Sequence, residues 1–245
     1  MTNLNIILPT CWQELTPKQL RYAYYLLAQN FTAAELKTYA LIRWAPLTDV
    51  AKTDDGIFCH YEGKPYFLTS LQIAEAISHL SWLERLPLVP VRLPSIGKLQ
   101  PVEADLSGLS FEAFLILENL YQGYLVTKDT ALLSEMAAYL YQSKEPIHLA
   151  DEEAVSIFYW YGSAKQVLAR RYKHFFVTAE EASSEAMQER LQQQMNNQIR
   201  ALTKGDITKE AQVLRMDVHR ALVELDAQAR EYEELKRDTS KSELP

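Results

Sequence analysis

The aromatic residues of this chain are distributed very unevenly. Of its 26 Phe, Trp and Tyr residues, only Tyr232 lies beyond Val177, and residues 178–245 hold 24 charged residues among 68. A segment with so few large apolar side chains cannot bury enough surface to form a globular core of its own. We therefore expect residues 1–177 to form the folded body, and the remainder to pack on that body or on another molecule.

The overall charge limits the classes of partner. The 245 residues carry a formal net charge of −7, and both parts of the chain are mildly acidic. Nucleic-acid binding needs clustered Lys and Arg, so this balance argues against a general nucleic-acid-binding protein. No apolar run approaches the roughly 20 residues of a membrane span, and the N-terminus lacks a basic signal-peptide region. Together with two cysteines that fit reduced thiols, these features predict a cytoplasmic protein.

Capping boxes mark several helix starts, because a Thr is followed three residues later by Glu or Gln. Four boxes, at Thr16, Thr32, Thr69 and Thr178, predict helices over residues 17–29, 32–44, 69–86 and 178–203. Other caps and acidic first turns predict helices over about 110–125, 129–142 and 151–176.

The pattern between residues 57 and 68 is that of a β-hairpin. Two runs rich in aromatic and β-branched residues, 57–61 and 65–68, flank a turn at Glu62-Gly63-Lys64. A lone hairpin is only marginally stable, so we expect its aromatic side chains to pack on neighbouring helices.

The sequence therefore predicts a mainly α fold: a multi-helix body with one small β-hairpin, and a long C-terminal helical hairpin. Prolines at 87, 90, 94 and 101 exclude a continuous helix and predict an extended connector. The predicted segments are residues 1–86 (helices with the hairpin), 87–108 (connector), 109–177 (second helical part of the body), 178–237 (polar tail) and 238–245 (a disordered end).

A heptad pattern runs along the last predicted helix, residues 208–237, which would be about 45 Å long. Alternating spacings of three and four place a row of residues on one side. We call this row the tail seam, and its predicted partner-binding residues are Leu214, Val218, Leu225, Tyr232 and Leu235. The tail seam either folds back onto the body or pairs with another copy or another protein. Its Ala and Gln positions make it a weak coiled coil alone, so the contact must supply part of the apolar surface.

One basic and aromatic cluster offers an alternative. It comprises Arg170, Arg171 and Lys173, with nearby Lys165, and could contact nucleic-acid phosphates while adjacent aromatic rings stack on bases. The simpler interpretation places the rings in the core and the cations near a helix C-terminus, where they favour the dipole.

Aromatic residues are also dense in two helices, around Tyr22, Tyr24 and Tyr25 and over residues 158–161. They are too many for one core-facing stripe. They therefore combine core positions with ordinary exposure or with a recognition surface.

Catalytic and cofactor motifs are missing from the sequence. Its five histidines are scattered without metal-ligand spacing, and neither a glycine-rich phosphate loop nor a nucleophile elbow occurs. We therefore expect no enzymatic activity, no cofactor and no bound metal. An enzyme with a site assembled from distant residues is the remaining alternative.

Three stretches resemble a known group of proteins. Residues 8–22 (LPTCWQELTPKQLRY), 118–125 (ENLYQGYL) and 199–210 (IRALTKGDITKE) resemble an uncharacterised family encoded in phage and prophage structural-gene clusters of gut anaerobes. The resemblance covers most of the chain and implies a role in virion or tail assembly, with tail assembly chaperones as the nearest function. It transfers no catalytic or binding residue.

These observations lead to one functional hypothesis. The chain is expected to be a non-enzymatic phage or prophage interaction factor, such as a tail assembly chaperone or adaptor, in the bacterial host cytoplasm or associated with the virion. Its partner would be a tail component or a second copy of the chain. The alternative is a nucleic-acid-binding accessory protein that uses residues 165–176.

The tail seam can be tested by charge insertion. Leu214→Asp combined with Leu225→Asp should weaken association while leaving the body folded, because a carboxylate cannot be buried without a partner. Light scattering and pull-down measure the outcome. Unchanged association in the double variant would show that the contact lies elsewhere.

Overall fold

The computed structural model describes residues 6–176 and 184–242. In them the chain is mainly helical (59%), which confirms the predicted class. The helices of this part are α1 (Pro17–Ala28), α2 (Ala33–Trp44), α3 (Ser70–Ser78), α4 (Phe111–Thr127), α5 (Thr130–Leu140), α6 (Asp151–Arg171), α7 (Ser184–Thr203), α8 (Glu210–Leu214) and α9 (Val218–Ser242). The strands are β1 (Thr48–Lys52), β2 (Gly56–Tyr61) and β3 (Lys64–Thr69).

Three of the predicted capping boxes are confirmed. At the start of α1, the Thr16 hydroxyl accepts from the Gln19 amide and the Gln19 side chain accepts from the Thr16 amide. The same reciprocal pair opens α2 and α3. Each box satisfies two backbone donors that the first helical turn leaves unpaired, which fixes these starts locally. The fourth box, at Thr178, lies outside the described residues.

The hairpin prediction is confirmed for β2 and β3, which pair with Phe58 opposite Phe67. A third strand, β1, was not predicted and adds to the other edge of β2. All five of its residues are exposed, so its sequence shows none of the alternation of a half-buried strand. The pairing also contains a bulge near Asp49, whose φ is +50°.

The sheet has one buried and one exposed side. Ile57, Cys59 and Leu68 are buried and belong to the core of this part of the chain. Phe58 and Phe67 lie on the opposite side, with ring centroids 4.7 Å apart, and both are exposed. The prediction that the hairpin aromatics pack on helices therefore holds for Tyr61 and Tyr66, which contact the core, and is wrong for the phenylalanines.

Helix α3 ends earlier than predicted. It stops at Ser78 rather than near 86, and a 3-10 turn over Ser81–Glu84 follows. The Ser78 hydroxyl donates to the Glu75 carbonyl at 2.6 Å, a local bond that competes with helix continuation. The tighter turn directs Leu80 and Leu83 into the interior, where both are fully buried. Core packing, rather than Pro87, thus ends this helix.

The final predicted helix is also interrupted. Instead of one helix over 208–237, a 3-10 turn (Ile207–Lys209) leads into the short α8, and Arg215–Asp217 separate it from α9. Helix α9 then continues to Ser242, beyond residue 238 where the sequence predicts disorder to begin.

The described residues fall into two compact units. Unit 1 takes those within Met1–Pro94 and Leu149–Ser163, and unit 2 takes those within Ser95–His148 and Ala164–Pro245. Helix α6 is shared, with Ser163 the last residue assigned to unit 1. No helix in the described part of the chain is both long and apolar enough to cross a bilayer.

Trp12 is central to the core of unit 1. Its ring stacks on Tyr24 at 5.6 Å and meets Trp82 edge-on at 5.4 Å and Tyr159 at 5.7 Å. Its indole Nε1 donates to the carbonyl oxygens of Trp82 and Arg85, at 3.3 and 3.2 Å. One side chain therefore joins the segment before α1 to α1, to the 3-10 turn after α3 and to α6.

Unit 2 is built on α4 and α5, which are joined by a short turn and pack against each other. The turn begins at Lys128, whose left-handed φ of +57° ends α4. Phe111, Leu117, Met136 and Leu140 from these helices are fully buried. Helix α7 packs on α4, α8 and α9, so the tail belongs to the same unit as α4.

The start of β2 gives a test of the sheet. A Cβ at Gly56 would lie 2.0 Å from the Leu68 carbonyl oxygen, which belongs to backbone and cannot swing away. Gly56→Ala should therefore lower the free energy of unfolding by about 1–3 kcal/mol, as measured by urea denaturation followed by circular dichroism.

Gly123→Ala in α4 is the matched control for this substitution. Its Cβ would meet only the flexible Leu132 side chain, at 3.2 Å. Helix propensity favours alanine over glycine by up to about 1 kcal/mol. Gly123→Ala should therefore leave the free energy of unfolding unchanged or raise it, whereas Gly56→Ala should lower it. Equal free energies of unfolding for the two variants would contradict the close approach of Gly56 in β2 to the Leu68 backbone in β3.

Candidate interaction surfaces

The first two turns of α9 are part of the core of unit 2. Val218, Ala221 and Leu222 are fully buried, and Leu225 is 5% exposed. These residues recur at the three- and four-residue spacing of one helix side. The first two turns of α9 are therefore an integral part of unit 2.

A short backbone pairing holds the start of α9 in place. The Phe111 amide donates to the Met216 carbonyl at 2.8 Å, and the Val218 amide donates to the Leu109 carbonyl at 2.9 Å. The Asp217 carboxylate also accepts from the Gly108 amide at 2.9 Å. These bonds draw residues 215–217 out of helical geometry, which explains the break between α8 and α9.

His219 joins the same region to the end of α6. Its Nε2 lies 2.9 Å from the Asp105 carbonyl oxygen, which can only accept, so Nε2 carries the proton. Nδ1 lies 3.0 Å from the Tyr172 hydroxyl and accepts from it when that nitrogen carries no proton. Burial raises the pKa of Tyr172, which keeps that hydroxyl a donor. The ring thus links three separate segments of unit 2.

The middle of α9 is fixed by a second set of bonds. One Asp226 carboxylate oxygen accepts from the backbone amides of His174 and Phe175, at 2.8 and 3.0 Å. The His174 Nδ1 lies 3.0 Å from the Glu233 carboxylate. These contacts explain why α6 ends at Arg171 rather than near the predicted 176. The His174 amide donates to Asp226, and the Phe175 amide is shared between Asp226 and the Tyr172 carbonyl, so neither continues the helical pattern.

The tail seam is divided by this packing. Val218 and Leu225 are buried within unit 2, and Leu214 is half-buried. Tyr232 and Leu235 are 69% and 68% exposed.

This division changes what the sequence-based test measures. An Asp at position 225 would be buried, so Leu214→Asp with Leu225→Asp is expected to disrupt unit 2 and not only association. The second half of the seam is the part whose side chains a partner could reach.

The four cations of the basic segment do not share one side of α6. From Lys165 to Arg170 and Arg171, the helical spacing places the side chains about 100–140° apart around the axis. Lys165 is paired with the Glu118 carboxylate and lies 5.6 Å from the Tyr121 ring centroid. Arg171 stacks over Tyr172, and Lys173 is exposed beyond the helix end. Nothing in this placement favours a continuous phosphate-binding patch.

A partly exposed group of aromatic rings lies on α1, on α2 and on the connection between them in unit 1. Tyr22 stacks near Tyr25, with centroids 6.0 Å apart, and Phe31 lies 4.8 Å from Tyr39. The Arg43 guanidinium is 5.9 Å from the centre of the Tyr22 ring. Tyr25 and Tyr39 are nearly half exposed, at 46% and 44%. We call these five residues the aromatic face.

The rings and the guanidinium of the aromatic face influence one another. Burial raises the pKa of Tyr22, Arg43 lowers it, and the neighbouring Tyr25 and Tyr39 raise it. Tyrosine and arginine are enriched among residues that dominate binding energy at protein interfaces. This group therefore has the composition of an interface anchor.

The sequence identified only part of the aromatic face. For the aromatic residues of α1 and α6, the sequence left core and surface positions as alternatives. In the structure, Tyr24, Trp160 and Tyr161 are buried. Phe31, Tyr39 and Arg43 were missed. A usable signal was the four-residue spacing from Glu35 through Tyr39 to Arg43, on the side of α2 away from the buried Leu36 and Ala40.

The described residues include no group of three or more His, Cys, Asp or Glu side chains placed to hold a metal ion. One groove of about 310 Å³ lies beside the turn after α7. It is lined by Asn196, Ile199, Arg200, Thr203, Gly205, Ile207 and Glu210. The Thr203 hydroxyl in this groove donates to the Arg200 carbonyl, so its proton is engaged with backbone.

Asp226 provides a test of how α9 is held. Asp226→Ala removes the acceptor of two backbone amides and should lower the free energy of unfolding by about 1–3 kcal/mol. Asp226→Asn keeps a carbonyl acceptor and should lose less. Chemical denaturation measures both. Equal loss in the two variants would show that the charge, and not the acceptor geometry, is what matters.

Comparison of the chain with known protein families, with curated proteins and with solved structures finds no match.

Proposed function

We propose that this protein is a non-enzymatic protein-interaction factor of a phage or prophage, acting as a tail assembly chaperone or adaptor. Its partner contacts the exposed second half of α9. The observation that carries the proposal is the change along the tail seam, which is buried through Leu225 and exposed at Tyr232 and Leu235.

The exposed residues continue the stripe that the core uses. Tyr232 lies seven residues after Leu225, and Leu235 three residues further, which keeps all three on one side of a helix. Large apolar side chains at such positions normally mark a side that is covered. In α9, unit 2 covers this side in the first turns and leaves it exposed beyond them. Such a side fits a helix-in-groove contact with another protein.

Helix α9 is also held in its conformation before any partner binds. Asp226 accepts two backbone amides and Glu233 pairs with His174, so α9 is held both before Tyr232 and between Tyr232 and Leu235. A preformed helix loses less conformational entropy on binding than a flexible segment does. Charged residues such as Arg230 and Glu234 flank the stripe and favour solubility of the free protein.

The phage setting is supported by the resemblance of residues 8–22, 118–125 and 199–210. That resemblance suggests a tail component as the partner class. The proposed contact surface rests on the exposure of Tyr232 and Leu235 in α9.

Substitution of the two exposed residues tests the proposal. Tyr232→Ser with Leu235→Ser should lower the affinity for the tail partner about tenfold or more, since apolar anchors dominate such contacts. Stability should change little, because both side chains are exposed. Pull-down against co-expressed tail proteins of the same gene cluster, followed by calorimetric titration of the captured one, measures the effect.

Val223→Ser is the matched control. Val223 is an exposed apolar residue of the same helix, at 56%, about 180° around the axis from Tyr232. It should leave binding unchanged. The proposal fails if wild-type protein binds none of the tail proteins, or if the double variant binds as tightly as the control.

A further inference from the structure

The aromatic face has opposite charges at its two ends. The four-residue connection between α1 and α2, with Arg43 lying over Tyr22, shows that α2 runs back along α1. Arg43 is in the last turn of α2, beside Tyr22 of α1. Lys18 lies one helical turn before Tyr22. Glu35 lies eight residues before Arg43, about 12 Å along the helix. The tyrosine rings occupy the space between.

Both charged ends are exposed to solvent. Glu35 is committed to the capping box, where its carboxylate accepts from the Thr32 amide at 2.9 Å and from the Thr32 hydroxyl at 2.8 Å. These bonds lower the pKa of Glu35, and Lys52 adds a smaller effect, so the carboxylate stays ionised. In the part of the chain that the structure describes, neither Glu35 nor Arg43 has an oppositely charged group within 4 Å.

We propose that the aromatic face is a self-association surface, which pairs with the same face of a second copy of this chain about a two-fold axis. This goes beyond the proposed function, because it uses unit 1 and a different occupant. A two-fold axis through the tyrosines places the Arg43 end of one copy against the Glu35 end of the other, twice. Such a contact is self-complementary and closes at a dimer, the commonest symmetry of soluble oligomers.

The charge layout selects this occupant over others. A uniformly acidic partner or a nucleic acid would match Arg43 but would bring like charge against Glu35, so neither can pair with both ends at once. A second copy presents a cation at that position and a carboxylate at Arg43. The rings between the ends supply the apolar centre that a stable contact needs.

Sedimentation velocity over a concentration series, with the full-length protein, tests the pairing. Tyr39→Ser removes a ring from the centre and should weaken the dimer about tenfold or more. Glu35→Gln and Arg43→Gln should each weaken it about two- to fivefold. Gln at position 35 preserves the capping box, because Gln19 and Gln72 serve the same role in the other two boxes.

A double-mutant cycle identifies the pair. If Glu35 of one copy faces Arg43 of the other, Glu35→Gln with Arg43→Gln should weaken the dimer no more than the stronger single substitution. Arg220→Gln, an exposed arginine of unit 2, is the control and should have no effect. The Tyr232→Ser and Leu235→Ser double variant should dimerise as wild type, which separates this inference from the proposed function.

Three results would overturn the inference. The first is a wild-type protein that stays monomeric up to about 1 mM. The second is a dimer that Tyr39→Ser and Arg43→Gln leave unchanged, which would place the contact elsewhere. The third is full additivity in the cycle, which would show that Glu35 and Arg43 do not face each other.

Discussion

Two backbone hydrogen bonds between residues 109–111 and 216–218 determine the role of the tail. They join backbone amide and carbonyl groups, which every residue but proline carries, so no pattern of side chains predicts them. Once formed, they interrupt the last helix, orient the first turns of α9 and bring Val218 and Leu225 into the interior of unit 2. Asp217, Tyr172 and His219 then satisfy the remaining polar groups around the break. The few large apolar residues in the first turns of α9 are thus buried within a larger core, that of unit 2.

In unit 1, the single side chain of Trp12 connects several elements of the core. Trp12 precedes the first α-helix and yet packs against three other elements, while its indole nitrogen satisfies carbonyl groups at the end of a 3-10 turn. With its interior filled in this way, the unit leaves several other aromatic rings at its surface. Those of α1 and α2 are clustered, and those of β2 and β3 form a pair on the exposed side of the sheet.

Local chemistry made much of this fold predictable. Capping boxes set the first turns of α1, α2 and α3, and the Glu62-Gly63-Lys64 turn set the hairpin, because each depends on residues close in sequence. The sequence could not show where α3 and α6 end or that the last helix breaks, because those features depend on Leu80, Asp226 and Met216 meeting distant partners. The same limit applies to the surfaces. The spacing of the tail seam predicted which residues share a side, but only the packing of unit 2 shows that Leu225 is covered and Tyr232 is not.

The location of the tryptophans has a practical consequence for spectroscopy. All four, Trp12, Trp44, Trp82 and Trp160, belong to unit 1, and unit 2 has none. Intrinsic indole emission therefore reports on one unit alone, whereas the far-ultraviolet helical signal arises from both. Recorded together during denaturation, the two signals distinguish a molecule that melts in a single cooperative step from one whose halves melt at different temperatures, without any introduced label.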